Sequence, residues 1–246
     1  MRTAVVVQAR KTSTRLPGKV LQLLDDRCVL DHVLTRCAAI PGADIAVCAV
    51  PDGPESAEIE AIATGCGAMT FRGSENDVLD RYLGAARAAR ADIVMRVTSD
   101  CPLIDPETCG AVLALRAARG ADYACNNMPR SFPHGLDCEA FTTEALADAA
   151  GHATDSYDRE HVTPWLRRAP GLVRANLHSG DARQAAHRWT LDHPEDLAFF
   201  RAVFAVVPPA RRTTANVLAL VAARPEIADI NAAHRVAPPA EEPAAR

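Results

Sequence analysis

The sequence predicts an α/β protein with a mostly parallel sheet that carries helices on both faces. Three observations predict this class: short runs of β-branched and apolar residues, intervening segments with helical spacing, and a regular alternation of the two through the first half of the chain. Apolar runs without polar alternation are typical of strands that are buried on both faces. Alternating strands and helices favour parallel strands that are joined by crossover helices.

Five strands and four helices account for the first half of the chain. The runs that predict strands are residues 3–9, 44–50, 68–71, 92–97 and 122–126. The segments that predict helices are residues 29–39, 54–64, 77–90 and 106–119. Asp105, directly before Pro106, is the predicted N-cap residue of the fourth helix. Gly120 is predicted to end that helix. The sequence therefore marks both ends of the fourth helix.

The alternation breaks after about residue 126, which indicates an insertion. Residues 127–136 are rich in turn formers, and residues 137–142 predict a short strand. The later elements that we expect are helices near residues 143–150 and 158–168, strands at 172–178 and 187–191, a helix that begins at Pro194, and a last helix near 214–224. We therefore predict one domain over residues 1–235, in which residues 127–170 shape the acceptor site, and a disordered tail at residues 236–246.

Composition excludes several classes of protein. The 246 residues are 48% hydrophobic and 24% charged, and 27 Lys and Arg against 31 Asp and Glu give a net charge of -4. That charge argues against a protein that coats a nucleic acid. No apolar run approaches the roughly 20 residues of a membrane helix, and the N-terminus lacks the zones of a signal peptide. The eight cysteines contain no CxxC pair, so we interpret them as reduced, buried residues of a cytoplasmic protein.

The loop after the first predicted strand holds the strongest chemical signal. Residues 8–19 read QARKTSTRLPGK and place four cations and three hydroxyl groups together in an acidic chain. Ligands of parallel sheets bind beyond the carboxyl ends of the strands, so this composition predicts a triphosphate site. The spacing matches neither a P-loop nor a dinucleotide-binding fingerprint. A solvated basic loop is the alternative interpretation.

Two carboxylates follow other predicted strands and should reach the same edge of the sheet. Asp100 comes after the strand at residues 92–97, and Asp192 comes directly after the strand at residues 187–191. Together they could hold a Mg²⁺ ion that bridges phosphate oxygens. Alternatively, Asp100 is a turn residue and Asp192 caps the helix that follows it.

Six segments resemble a known family, in the same order along the chain. Besides the loop at residues 8–19 they are residues 71–82, 96–105, 135–139, 158–164 and 191–197. Together they resemble the cytidylyltransferase family that includes spore coat polysaccharide biosynthesis protein F and, more distantly, CMP-Kdo synthetase and acylneuraminate cytidylyltransferase. The resemblance implies a Rossmann-like sheet of the nucleotide-diphospho-sugar transferase type and a Mg²⁺-dependent transfer of CMP from CTP to a sugar or sugar acid. It also implies a homodimer, in which the inserted region would supply the interface.

The resemblance and the residue chemistry together assign roles to individual side chains. Charge builds on the oxygen that leaves with pyrophosphate, and Arg10 and Lys19 are the catalytic candidates that meet it, with Arg15 in support. The predicted nucleotide-binding residues are Ala9, Arg10, Ser13, Arg15, Lys19, Ser74, Asp80 and Arg81. The predicted metal ligands are Asp100 and Asp192. The predicted acceptor-binding residues, all in the inserted region, are Asp137, Glu139, Arg159, Glu160 and His161.

Three positions depart from the family pattern. Lys11 and Thr12 stand where the family usually has methionine and glycine, which adds a cation to the loop. His134 stands where the family commonly has aspartate. Because His134 borders the expected acceptor site, the resemblance does not identify the acceptor.

We therefore predict a cytidylyltransferase that uses CTP and a small acceptor and releases pyrophosphate. A nucleotidyltransferase of the same fold that uses another nucleotide is the nearest alternative. A catalytically silent nucleotide-binding protein is the second. The presence of both cations and both carboxylates argues against the silent protein, because a site without activity has no use for the two together.

Overall fold

The computed structural model describes residues 1–235, and the predicted tail at residues 236–246 lies outside the described residues. The strands are β1 (Thr3–Gln8), β2 (Leu23–Leu24), β3 (Arg27–Cys28), β4 (Ile45–Pro51), β5 (Met69–Gly73), β6 (Ile93–Thr98), β7 (Tyr123–Cys125), β8 (Glu139–Thr142) and β9 (Arg174–Asn176). The α-helices are α1 (Val29–Ala38), α2 (Ala57–Gly65), α3 (Val78–Ala88), α4 (Pro106–Arg119), α5 (Thr143–His152), α6 (Ser156–His161), α7 (Pro164–Arg168), α8 (Pro194–Val206), α9 (Thr214–Ala223) and α10 (Pro225–Asp229). Within residues 1–235, no helix combines the length and the apolar character that crossing a membrane requires.

The centre of the main sheet is parallel, as the sequence predicts. β2 and β3 form a small hairpin, and the other seven strands form one sheet in the order β5-β4-β1-β6-β8-β7-β9. β1 pairs in parallel with β4 and β6, and β4 pairs in parallel with β5. β8 is antiparallel to both β6 and β7, so part of the predicted insertion enters the sheet between them. The carboxyl ends of β1, β4, β5 and β6 meet at one edge, which is the edge where ligands of such sheets bind.

Alternate side chains of β1 enter two cores on opposite faces of the sheet. Val5 and Val7 pack in one core with α1, α2 and α4. Ala4 and Val6 pack in the other with α3 and α5. All four side chains are fully buried, as expected for a central strand whose side chains alternate between faces. The helices on both faces confirm the predicted α/β class.

A third core lies against the segment that leads into α8. Phe199 and Phe200 of α8 pack with Trp189 and Leu191, and all four side chains are buried. The N–H of Leu191 also donates a hydrogen bond of 2.9 Å to the carbonyl of Asp100, in the loop after β6. The third core therefore holds the chain beside the carboxyl edge of the sheet at the point where α8 begins.

The strand predicted at residues 187–191 is not present. The segment makes a single bridge, between Arg188 and His134, and its other backbone bonds go to loops. An apolar pattern reports that a segment is extended and buried, but a strand also needs a neighbour in register. The strand predicted at residues 172–178 is present but is limited to the three residues of β9.

The single helix predicted at residues 158–168 is divided into α6 and α7. Val162 adopts φ +72°, and Pro164, which has no N–H to continue a helix, is the first residue of α7. The hairpin of β2 and β3 and the short helix α10 were not predicted, because two-residue strands and a five-residue helix carry too little periodic signal.

Candidate active site

The loop that follows β1 folds back on itself at the carboxyl edge of the sheet. The N–H of Gly18 donates to the carbonyl of Lys11 at 3.2 Å, and the N–H of Lys19 donates to the carbonyl of Leu16 at 3.2 Å. Gly18 has φ +66°, in the left-handed region that glycine adopts without strain. A short 3₁₀ helix begins directly after it at Lys19. This turn returns Lys19 to the edge from which the loop leaves.

Lys19 joins the two predicted metal ligands. Its Nζ lies 2.6 Å from Oδ2 of Asp100 and 2.7 Å from Oδ1 of Asp192. The side chains of Lys19, Asp100 and Asp192 are largely buried, with exposed fractions of 15%, 19% and 20%. The more exposed Arg15 contacts the same oxygen of Asp192 at 3.1 Å. The structure therefore brings the two carboxylates and two of the predicted phosphate-binding cations to one point.

The charges of this cluster stabilise one another. Burial alone would raise the pKa of Asp192, but the hydrogen bond and charge of Lys19, followed by those of Arg15, lower that pKa to about 2. Burial would lower the pKa of Lys19, but the carboxylates of Asp100 and Asp192 more than offset it, so that pKa is raised. Lys19 and Asp192 are therefore both ionised near neutral pH.

Asp196, which the sequence analysis does not single out, fixes the backbone of Asp192. Its fully buried carboxylate accepts hydrogen bonds of 2.9 Å from the N–H groups of Asp192 and His193. The guanidinium of Arg188 donates to both of its oxygens at 2.8 and 2.9 Å, and Asn231 Nδ2 donates at 3.0 Å. An acidic residue at the third position of a helix is a capping signal, so the sequence pattern could have identified this residue.

The structure also brings the first loop to the segment that follows β5. Thr12 Oγ1 donates a hydrogen bond of 3.1 Å to Glu75, and the buried guanidinium of Arg81 donates to the carbonyl of Ser74. Burial lowers the pKa of Arg81, and the charge of Arg10 lowers it further. The exposed Arg10 is therefore near enough to Arg81 for the two charges to interact across this part of the edge.

The remaining predicted nucleotide-binding residues line the same two segments. Ala9 is buried, and its N–H donates to the carbonyl of Ala49 at 3.1 Å. Ser13 is half-buried in the first loop, and the side chain of Asp80 is exposed on α3. The hydroxyl of Ser74 accepts a hydrogen bond of 3.1 Å from the N–H at the N-cap of α3.

Asp100 and Asp192 have the donor chemistry that a Mg²⁺ site needs. Mg²⁺ prefers oxygen ligands, and in nucleotide enzymes it is held by one or two carboxylates together with substrate phosphates. Both carboxylates converge on Nζ of Lys19 at the same edge as the phosphate-binding loop. The residues present therefore fit a magnesium ion that is shared with a triphosphate.

Glu139, predicted as an acceptor contact, is placed in the core instead. Its carboxylate is 1% exposed and lies 2.7 Å from Arg96 Nη1 and 2.6 Å from Arg167 Nη2. The hydroxyl of Tyr123 also donates to it. Burial alone would raise the pKa of Glu139, but the charges of Arg96 and Arg167 lower it to about 2. This carboxylate is fully engaged by its own chain and orders the arginines around it.

Asp137 forms a half-buried cluster with Arg130 and His134. Its carboxylate lies 3.3 Å from Arg130 Nε and 3.8 Å from His134 Nε2. Burial lowers the pKa of His134 although the charge of Asp137 opposes the shift, so this imidazole is neutral at pH 7. Its buried Nδ1 has no hydrogen-bond partner among residues 1–235. The backbone of His134 pairs with that of Arg188, whose guanidinium lies 3.6 Å from Asp192, so this cluster lies near the predicted metal ligands.

The other predicted acceptor residues lie on α6. Nε of Arg159 donates a hydrogen bond of 2.7 Å to Asp77, the N-cap residue of α3, and thereby ties α6 to the segment that follows β5. Glu160 and His161 are exposed, and the ring of His161 lies 4.3 Å from that of Tyr157. Arg159 therefore has a positioning contact, whereas Glu160 and His161 are free to meet a ligand at the surface.

Replacing Glu139 by glutamine should destabilise the fold. The substitution leaves the buried Arg96 beside Arg167 without the charge that compensates both, and breaking a buried ion pair costs about 3–5 kcal/mol. Because the pKa of Glu139 is about 2 in the folded protein, against ~4.3 for an unfolded glutamate, its contribution is complete above pH ~4.3 and is lost as the pH falls toward 2. Urea unfolding should therefore show a smaller difference in the free energy of unfolding between the wild type and Glu139→Gln at pH 3 than at pH 7.

The matched control for this experiment is Glu226→Gln. Glu226 pairs with Arg224 on the surface, so its replacement should leave the urea midpoint nearly unchanged. A Glu139→Gln protein that is as stable as the wild type at pH 7 would show that the buried pair contributes nothing.

This edge of the sheet is suited to phosphate chemistry, because two cations of the first loop and two carboxylates meet there. Nucleotidyltransferases are one class of protein in which a Rossmann-like, mostly parallel sheet carries out this chemistry. A family model described as cytidylyltransferase matches residues 4–214 of the chain. The protein belongs to the cytidylyltransferase family, and this confirms the resemblance of the six segments.

The similarity to known proteins extends over most of the chain. The spore coat polysaccharide biosynthesis protein SpsF of Bacillus subtilis is 32% identical over 206 residues, which are 81% of this chain and 85% of the relative. A 3-deoxy-manno-octulosonate cytidylyltransferase of Xanthomonas campestris is 31% identical over 211 residues, which are 83% of this chain and 80% of the relative. A solved cytidylyltransferase structure from Leptospira borgpetersenii superposes with a TM-score of 0.88 at 27% identity, covering 93% of this chain and 97% of the other.

Proposed function

We propose that the protein transfers CMP from CTP to a small sugar or sugar-acid acceptor, with Mg²⁺, and releases pyrophosphate. The observation that carries the proposal is the contact of Lys19 with both Asp100 and Asp192. It joins a cation and two carboxylates at the edge where a triphosphate and its metal would meet. The names of two relatives, which refer to polysaccharide biosynthesis and to 3-deoxy-manno-octulosonate, support an acceptor of the sugar or sugar-acid class.

The reaction exchanges one P–O bond for another. An acceptor hydroxyl attacks the α-phosphorus, its proton passes to a base, and the bond from the α-phosphorus to the bridging oxygen breaks, so that its electron pair leaves with pyrophosphate. Arg10 and Lys19 stabilise the charge that develops on the leaving phosphates, and Arg15 holds the triphosphate from the exposed side. When it is bound to Asp100 and Asp192, Mg²⁺ supplies further positive charge to the phosphate oxygens.

The nucleotide lies, in this proposal, between the first loop and the segment after β5. The hydrogen bond from Thr12 to Glu75 joins the two segments, and the charges of Arg10 and Arg81 interact there. Ala9, Ser13, Ser74 and Asp80 complete the proposed nucleotide-binding set on the same segments. Backbone and side-chain groups of the segment after β5 are thus available to a base and a ribose, while the first loop is available to the phosphates.

The acceptor lies, in this proposal, on the side of the carboxylates that faces Asp137. Arg130 and the neutral His134 surround that carboxylate and offer partners for hydroxyl and carboxylate groups alike. Glu160 and His161, exposed on α6, are the proposed contacts for the outer part of the acceptor. Assembly as a homodimer and location in the cytoplasm stay predictions from the sequence.

CTP should bind more tightly than ATP, GTP or UTP. Discrimination between CTP and UTP depends on the exocyclic amino group of cytosine. One well-formed hydrogen bond to this group raises the affinity for CTP over UTP at least about tenfold. Calorimetric titration of the protein with each nucleotide in the presence of Mg²⁺ measures the difference.

Two outcomes of this titration favour other functions. Equal affinity for the four nucleotides would leave a generic nucleotide site, and preference for another nucleotide would indicate a different nucleotidyltransferase of the same fold. Tight CTP binding without pyrophosphate release for any acceptor in a panel of sugars and sugar acids would favour the silent nucleotide-binding protein.

A further inference from the structure

A second group of potential metal ligands lies at the start of α8, directly after Asp192 of the proposed active site. His193 is the N-cap residue of α8, Glu195 lies in its first turn, and His234 comes from the 3₁₀ helix Ala232–His234 near the end of the described chain. Each of the three offers one ligand atom, and these atoms all lie within 4.8 Å of one another. Nothing in the proposed transfer reaction uses this group.

The donors are of the kind that bind first-row transition metals. Two imidazoles and one carboxylate are a recurrent protein set for zinc and for iron(II), and ligands of this kind leave further positions of the ion for water. Nε2 of His234 already lies 3.1 Å from the carboxylate of Glu195.

The scaffold that presents these ligands is rigid. Asn231 is buried, and its Nδ2 donates hydrogen bonds of 3.0 Å to the carbonyl of Arg188 and to Asp196, inside α8. The backbone of His193 is held by the same Asp196 carboxylate at 2.9 Å. The two chain segments that carry the ligands are therefore fastened to one buried anchor, which lowers the entropy that an ion must offset when it joins them.

The rings of the two histidines must reorient to bind one ion, because an imidazole nitrogen binds a metal in the plane of its own ring. The imidazoles of His193 and His234 are stacked, with centroids 3.8 Å apart and an angle of 1° between the planes. Ligand atoms on one tetrahedral ion with bonds of ~2.1 Å lie about 3.4 Å apart. Binding of a shared ion therefore requires the two half-buried rings to turn out of the stacked arrangement.

We propose that His193, Glu195 and His234 bind a divalent transition-metal ion of the Zn²⁺ type, with water completing the coordination. The ion would fasten residues 231–235 to the start of α8, directly after Asp192. It differs from the ion proposed for Asp100 and Asp192 in its ligands, because imidazole nitrogen selects transition metals over Mg²⁺. The proposal concerns binding of the ion by the free protein and does not depend on the proposed transfer reaction.

Titration of the metal-free full-length chain with Zn²⁺, followed by calorimetry, tests the proposal. We expect one site of this kind per chain. Each of the variants His234→Ala and His193→Ala should lower the affinity of that site for Zn²⁺ at least ~10²-fold, because each removes a ligand. His152→Ala is the matched control, since His152 is an exposed histidine whose ring contacts its own helix and Trp165. The control should bind Zn²⁺ as the wild type does, and so should Asp100→Asn, which alters the other proposed metal site.

The absorption spectrum of the Co²⁺ form separates this site from one built by cysteines. Nitrogen and oxygen ligation gives weak visible bands that His234→Ala abolishes, without the strong thiolate-to-metal band of a cysteine site. Thermal unfolding gives a second readout, because Zn²⁺ should raise the Tm of the wild type but not that of His234→Ala. Absence of stoichiometric binding, or wild-type affinity in both histidine variants, would overturn the proposal.

Discussion

The Lys19→Ala variant should lose at least ~10²-fold in turnover, the loss that follows removal of one group acting on charge in the transition state. The ammonium lies 2.6 and 2.7 Å from the two carboxylates, so its removal takes away the cation nearest to the proposed leaving phosphates. It also leaves Asp100 without the cation that contacts it, while Asp192 keeps Arg15 at 3.1 Å and Arg188 at 3.6 Å. Pyrophosphate release at saturating CTP measures the effect, and circular dichroism checks that the variant is folded.

Lys11→Ala is the matched control for this experiment. Lys11 belongs to the same loop but pairs with the exposed Glu58 at 2.8 Å, away from both carboxylates. Exposed pairs of this kind contribute little, so the control should keep its turnover within about threefold of the wild type. Full activity of Lys19→Ala would contradict the mechanism, and an equal loss in both variants would indicate a general effect of charge in the loop.

Asp100→Asn and Asp192→Asn should each lower turnover by about 10²–10³-fold at a fixed Mg²⁺ concentration. The change from aspartate to asparagine preserves shape, but it removes half of the carboxylate charge that the chain offers to the ion. The requirement for Mg²⁺ should therefore rise in both variants. Turnover measured as a function of Mg²⁺ concentration reports the two effects separately.

Asp229→Asn, which changes an aspartate that is 72% exposed, is the control for the same titration and should match the wild type. Two results would remove the metal role from the pair of carboxylates. One is undiminished turnover in EDTA, and the other is an unchanged Mg²⁺ requirement in the asparagine variants.

The main features of the carboxyl edge are predictable because each depends on a local pattern. Lys19 and Asp100 follow buried apolar strands of a parallel sheet, and such strands end at one edge whatever the distance along the chain. Lys19 is 81 positions from Asp100 and 173 positions from Asp192, yet all three are in contact. Asp192 lies at this edge although the strand predicted before it is absent. The packing of the third core, instead of pairing within the sheet, holds the preceding segment in place.

The part that the sequence does not predict depends on partners that are distant in the chain. Glu139 is predicted at the acceptor because it lies in the inserted region, yet its side chain is buried. Its burial is stabilised by Arg96 and Arg167, which lie 43 and 28 positions away, and no periodic pattern links the three. The same holds for His193 and His234, whose stacking results from the packing of the last described residues on α8.

The contact of Lys19 with both carboxylates has a consequence for the order in which ligands arrive. Two cations, Arg15 and Lys19, face two carboxylates, Asp100 and Asp192, so this part of the free protein carries no net charge. A magnesium ion without a nucleotide gains little binding free energy there, because it must compete with the ammonium of Lys19, which both carboxylates already bind. In the proposed reaction, a triphosphate that carries its own metal would compete with the aspartates for Arg15 and Lys19, and the metal would bind the carboxylates in their place. We therefore expect the free protein to bind the metal–nucleotide complex before it binds free metal.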